Sequence, residues 1–274
     1  MYKIIYLPLD ERPCNYDFPH KMFNKDDIRI IRPELNIMGF KKEPGDLVKL
    51  HEFLENEAKD ADGLVISIDT LIYGGIVPSR NHFFTEDVLK ERFSILEKIK
   101  SINPKIKIFA FDLIMRTPRY NDDEEEPDYY RYSGANIFRT GFLEHKKELG
   151  IITPEEQLEL DQIVVEPRYL NDYLRRRQIN TNLTLETVTL VNQGIIDFLV
   201  IPQDDSAEFG FTAKDQVKVR SLITKLGIQS KVLIYPGADE VGMVLCSRMI
   251  SEHVGIKPKY YIKYPSVAAA YIIP

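Results

Sequence analysis

The chain has 274 residues, 44% hydrophobic and 28% charged, a balance that fits one large globular domain and excludes wholesale disorder. Its net charge of −6 supplies no basic face for nucleic-acid phosphates, and no apolar run approaches the ~20 residues of a membrane span. The opening MYKIIYLPLDERP has no leader cleavage site, and Cys14 and Cys246 form no metal-ligand pattern, so the expectation is a soluble, cytoplasmic protein with reduced thiols and neither a nucleic-acid nor a membrane partner.

Apolar runs rich in Ile, Val, Leu, Phe and Tyr recur along the chain without clean alternation, which is how strands buried on both faces read. KIIYLPLD (3–10) ends in Asp10-Glu11-Arg12-Pro13, with Asn15 close behind, and IRIIRP (28–33) is the second run. A helix follows over 46–59. GLVISID (63–69) delivers Asp69, then Tyr73-Gly74-Gly75 and Ser79-Arg80. Residues 85–101 read as a helix capped by Thr85, with Leu89, Phe93 and Leu96 as its apolar stripe. KIFAFDLI (107–114) carries Asp112, with Arg116 beyond it.

The rhythm then breaks. Residues 117–196 hold no strand signal and read as a helical insertion over the carboxyl edge of the sheet, placed to act as a lid. It opens with an acidic run, 122–128, expected to be mobile because like charges repel. Thr153-Pro154-Glu155-Glu156 has the pattern of a capping box, and separate helices are predicted over 167–177 and 183–193. DFLVIPQDD (197–205) delivers Gln203-Asp204-Asp205-Ser206. Thr212 and Asp215 suggest a capping box for a helix closed by Gly227, and KVLIYPGAD (231–239) delivers Asp239-Glu240 before a helix over 240–253. YYIKYPS (260–266) is the seventh apolar run. Strand then helix, repeated, predicts an α/β fold with a mainly parallel sheet of about six or seven strands flanked by helices, in three Rossmann-like layers. An incomplete (β/α) barrel is the alternative.

Several catalytic patterns are absent: G-x-G-x-x-G after the first strand, a phosphate loop, a G-x-S-x-G elbow, and any H-x-x-x-H zinc spacing. No cofactor is predicted. What remains is a set of polar residues at strand ends, where ligands bind in parallel α/β sheets. A single Asp there ordinarily caps the next helix. Paired acids at several ends exceed that need, and clustered carboxylates raise one another's pKa unless a cation, a shared proton or a substrate relieves them. Arg12, Arg80 and Arg116 can instead tie the acids into a structural ion-pair network.

IYLPLDERPCN, DGLVISIDTLIYGGIVPSR, FDLIMRTP, VIPQDDSAEFGFTAKDQ and YPGADEVG, in this order, resemble a bacterial family catalogued as domain of unknown function 4127. The resemblance spans nearly the whole chain. It implies a single site built from the motif positions and a protein that continues past Pro274, and it supplies no activity.

The leading expectation is a hydrolase or lyase acting on a hydroxyl-rich substrate, with a glycoside as the substrate class, since two carboxylates suffice for glycosidic cleavage. Asp10, Asp69, Asp204, Asp205, Asp239 and Glu240 are the catalytic candidates. Arg12, Asn15, Tyr73, Gly74, Gly75, Arg80, Arg116 and Gln203 are the substrate-binding candidates. The first alternative is a Mg²⁺- or Mn²⁺-assisted hydrolase of an anionic phosphate substrate, with Asp10, Asp69, Asp205 and Asp239 as oxygen ligands. The second is a protein that binds a small ligand without chemistry. The strand-end residues are expected to converge on one cleft walled by Tyr73 and Gly74-Gly75, with at least one carboxyl raised by its acidic neighbours and acting as proton donor.

Overall fold

The computed structural model describes residues 1–25, 27–205 and 207–256; Ser206 and the seventh apolar run, 260–266, lie outside the described residues. In chain order the elements are β1 (Tyr2–Leu7), α1 (Pro13–Tyr16), α2 (Phe18–Phe23), β2 (Ile28–Ile31), α3 (Leu47–Ala58), β3 (Gly63–Ser67), α4 (Ile68–Tyr73), α5 (Ile76–Asn81), α6 (Glu86–Ile102) and β4 (Lys107–Phe111). There follow α7 (Tyr130–Glu148), α8 (Pro154–Gln162), α9 (Pro167–Asn192), β5 (Phe198–Gln203), α10 (Phe211–Leu226), β6 (Val232–Pro236) and α11 (Val241–His253).

The six strands form one open sheet in the order β2-β1-β3-β4-β5-β6, with every pairing parallel. The three-layer α/β reading holds, and the barrel alternative does not. Period-2 alternation sorts the strand side chains between two cores. Ile5, Leu7, Leu64, Ile66, Ile108, Ala110, Leu199 and Ile201 pack under α3, α6, α9 and α10. Ile4, Tyr6, Val65, Phe109, Phe111 and Val200 pack under Val241, Leu245, Cys246 and Met249 of α11. Both faces are covered, which is why the strands read as unbroken apolar runs.

Local signals account for most boundaries. Asp46 caps α3 by accepting from Lys49 N–H, Thr153 and Glu156 form the expected capping box of α8, and Gly227 ends α10 in the left-handed region. Two expectations fail. Thr85 sits at the N-cap of α6 but makes no side-chain cap bond. Thr212 and Asp215 do not box α10, which starts after Gly210; both face the buried guanidinium of Arg177 instead.

The segment after β4 is helical, as read, but its end is one element rather than two. α9 runs unbroken for 26 residues. Its first half carries Tyr173, Arg176 and Arg177 beyond the sheet edge. Its second half buries Leu183, Val188, Leu190 and Val191 in the main core. Among the described residues, no helix is long and apolar enough to cross a membrane.

Candidate functional site

The chain reverses its direction of sheet growth after β2: β1 pairs with β2 on one side and with β3 on the other. Strand connections diverge at such a switch point and leave a crevice at the carboxyl ends. A cleft of about 670 Å³ lies there, and most of the strand-end residues singled out from sequence face it. Asp10, Arg12, Gly74, Gly75, Arg80, Arg116, Gln203, Asp204, Asp205, Asp239 and Glu240 all line it, together with Glu11, Lys41 and Glu125.

Two ion-pair clusters organise the polar wall. In the first, Arg12 clamps Asp10 and Asp239. Its Nη2 lies 2.6 Å from Asp10 Oδ2 and 2.6 Å from Asp239 Oδ1, its Nε donates to Asp10 at 2.8 Å and its Nη1 to Asp239 at 3.1 Å. The Asn15 amide donates to both carboxylates, at 2.9 and 3.3 Å, from a buried position behind them. Asp10 beside it, with Asp239, holds the Arg12 guanidinium firmly charged against the opposing pull of desolvation. Asp239 is 45% exposed, so the clamp is open to solvent on one side.

In the second cluster Arg80 and Arg116 lie side by side. Both donate to Glu126 Oε1, at 3.3 and 2.8 Å, to Glu125 Oε2, at 3.1 and 2.8 Å, and to Asp204 Oδ2, at 3.4 and 3.2 Å. Arg116 also reaches Asp205 at 3.4 Å. Arg80 and Glu126 are almost fully buried, with side chains 4% and 2% exposed. Burial pushes the Glu126 carboxyl up, and the two arginines pull it back.

Glu125 and Glu126 were not among the candidates. They sit in the acidic run 122–128, where repulsion within the run is offset by cations from other elements. Besides Arg80 and Arg116, these are Lys41 to Glu124, Lys42 to Asp128 at 3.1 Å, and Arg131 to Asp123 at 2.8 Å.

Three candidates do not line the cleft. Asn15 stands behind the first cluster. Tyr73 turns into the interior and donates to Asn180 Oδ1 at 2.8 Å, where the His82 ring also bonds at 2.9 Å, so it walls no part of the cleft. Asp69 lies beneath the floor, where its Oδ2 accepts the Leu113 N–H at 3.1 Å. Burial raises its carboxyl to about 6 and raises that of Asp112, which Thr187 Oγ1 contacts at 2.9 Å, well above the usual carboxylate range. The expectation that acidic neighbours would raise a proton donor facing the cleft is therefore corrected. Asp69, Asp112 and Glu126 owe their shifts chiefly to desolvation, and all three sit behind the wall.

The glycine turn lines the cleft and also packs a neighbouring loop. A β-carbon at Gly74 would lie 2.6 Å from the backbone nitrogen of Gly45, whose N–H donates to the Gly74 carbonyl at 3.0 Å. Gly74 thus lets the 39–45 loop close onto α4. Among the described residues, the non-glycine positions with left-handed backbone are Lys41 and Asp205, and both line the cleft.

Asp10, Asp69, Asp205 and Asp239 do not form one ligand set. Two are held by Arg12, one lies beside Arg116, and one is in the interior. Among the described residues, no group of three His, Cys, Asp or Glu side chains is placed to hold a metal ion.

Fold and site together define an open, parallel α/β protein with a charged cleft at its switch point. The chain belongs to the family described as protein of unknown function (DUF4127), whose model matches residues 4–274. Comparison with curated proteins gives no match. Two solved structures are distantly similar. One is GanP, a glucose-galactose binding protein from Geobacillus stearothermophilus, with 13% identity over 94% of this chain and 93% of that one and a TM-score of 0.32. The other is a 5-methylthioribose transporter solute binding protein from Thermotoga lettingae TMO, with 14% identity over 95% and 84% and a TM-score of 0.31.

Proposed function

We propose that the cleft is the site of a carboxylate-dependent hydrolase or lyase acting on a small hydroxyl-rich substrate, with a glycoside as the substrate class. The observation that carries this reading is the Asp10–Arg12–Asp239 clamp. Each carboxylate has an oxygen 2.6 Å from the same guanidinium nitrogen, so these two oxygens are at most about 5 Å apart, which makes Asp10 and Asp239 close enough to act as the carboxyl pair of a glycosidase that works through a covalent intermediate. Arg12 and Asn15 would orient the pair. Asp204, Asp205, Glu240 and Gln203 supply acceptors and donors for hydroxyls around the remaining wall. The test is product detection by mass spectrometry across a panel of aryl and natural glycosides. Asp239→Asn and Asp10→Asn are each expected to lower turnover by at least about 100-fold.

Binding without chemistry is the second reading, favoured by the position of the three raised carboxyls behind the wall. Saturable sugar binding with no product from any member of the panel would select it. Activity abolished by a chelator and restored by Mn²⁺ would move the assignment to the metal-assisted alternative.

A further inference from the structure

We propose that residues 122–128 form an ionic strap across the mouth of the cleft, anchored at Glu126 and releasable at its outer fastenings to Lys41 and Lys42. The proposal rests on how unequal these attachments are. Glu126 is enclosed, and its Oε1 is shared by Arg80 and Arg116, which are themselves nearly buried. Glu125, next to it, lines the cleft and bonds the same two arginines while remaining 41% exposed. The outer fastenings lie in solvent: Lys41 to Glu124, with side chains 54% and 62% exposed, and Lys42 to Asp128, at 34% and 95%.

Physics separates the two ends. Exposed pairs are weak and screened by salt, whereas enclosed pairs are much less so. The partners also come from different parts of the chain. Lys41 and Lys42 stand on the hairpin closed by the Phe40–Glu43 backbone bonds, while Arg80 and Arg116 stand on α5 and beyond β4. Since Lys41 and Glu125 both line the cleft, the strap joins two of its walls. The run carries six acids between Asp122 and Asp128. Once the lysines let go, repulsion within the run favours swinging Glu124 and Asp128 into solvent, while Glu126 stays in place and Arg131 still holds Asp123. Opening widens the mouth and removes negative charge from the rim, leaving Lys41 and Lys42 free there.

The experiment is amide hydrogen exchange on the full chain, read peptide by peptide. In Lys41→Gln/Lys42→Gln, exchange over 122–126 is expected to quicken by roughly threefold to tenfold, the effect of losing two exposed pairs. β3, β4 and the second half of α9 should be unchanged. Raising NaCl from 0.05 to about 1 M should have the same local effect on the unsubstituted protein. The charge swap Lys41→Glu with Glu124→Lys should return exchange over 122–126 to the rate of the unsubstituted protein, which a merely structural role of Lys41 would not allow. Exchange over 122–126 that ignores both salt and the lysine variant overturns the proposal, as does a swap that fails to rescue. Since both lysines are on the surface, a normal thermal midpoint in the double variant confirms that folding is intact.

Discussion

The phenol of Tyr6 donates to the backbone carbonyl of Asn15 at 2.8 Å, tying the buried centre of β1 to the residue that bonds both Asp10 and Asp239. Gly242 on α11 faces the same hydroxyl, and a β-carbon there would lie 2.3 Å from it. Gly242→Ala must therefore push the phenol aside and drag Asn15 with it. The expected loss is about 1–3 kcal/mol in urea denaturation, the range of core overpacking. The Asn15 side-chain amide resonances should shift, although Gly242 does not itself line the cleft. Unmoved Asn15 resonances would break the proposed link.

Arg177 is the most heavily engaged side chain behind the site. Its guanidinium bonds Asp215 at 2.6 Å, Thr117 at 3.0 Å, Thr212 at 2.9 Å and the Met115 carbonyl, all out of reach of solvent. Arg177→Met leaves Asp215 with only the half-exposed Lys218. The expected loss is roughly 3–5 kcal/mol, the usual result of stranding one partner of a buried pair. Adding Asp215→Asn should recover a large part of it. If the double variant is as unstable as the single one, packing rather than the uncompensated charge is responsible.

Asp69 makes stability depend on pH in a defined direction. Its folded carboxyl, pushed up by burial to about 6, binds its proton more tightly than the unfolded group at about 3.9. Its contribution is therefore complete below about pH 4 and is lost as the pH rises through about 6. Asp69→Asn keeps the shape and removes the charge. It should gain stability relative to the unsubstituted chain by ~2–3 kcal/mol between those limits and hold that gain above them. Asp112, raised in the same direction by burial and by Asp69, should leave a trend of the same sign in the variant. A difference between the two proteins that stays flat from pH 4 to 7 would contradict a raised Asp69.

The four inner strands were legible because each is buried on both faces, and the position of the cleft followed from where the strand ends must gather. What stayed hidden was polar chemistry inside the protein. QINTNLT (178–184) reads as a helix break because Asn and Thr compete for backbone bonds. Instead, Thr181 and Thr184 return their hydroxyls to the carbonyls of Arg177 and Asn180, and Asn180 is taken up by Tyr73, His82 and the Ser79 carbonyl, so α9 continues. Asp69 has the strand-end position of a site acid, and only the path of the chain after β4, which brings Leu113 N–H to it, places it beneath the floor. Glu126 was concealed by its company. Within a run of acids, nothing in the sequence marks the one that two arginines will enclose.

The uninterrupted course of α9 has a mechanical consequence. At 1.5 Å per residue, its 26 residues make a beam roughly 40 Å long. One end is clamped in the core by Leu183, Val188, Leu190 and Val191; the other stands clear of the sheet and carries Tyr173 and Arg177. A helix with no proline or glycine between Arg168 and Asn192 has no ready pivot. Tyr173 Oη accepts from Arg177 and bonds the carbonyl of Arg116 at 2.9 Å, so the free end of the beam is pinned to the backbone that presents the arginine wall. The arginines are thus referenced to the sheet by two routes, through β4 and through this cantilever. Whatever flexes at the cleft must do so around a fixed Arg116, with the loops moving and the beam acting as their ruler.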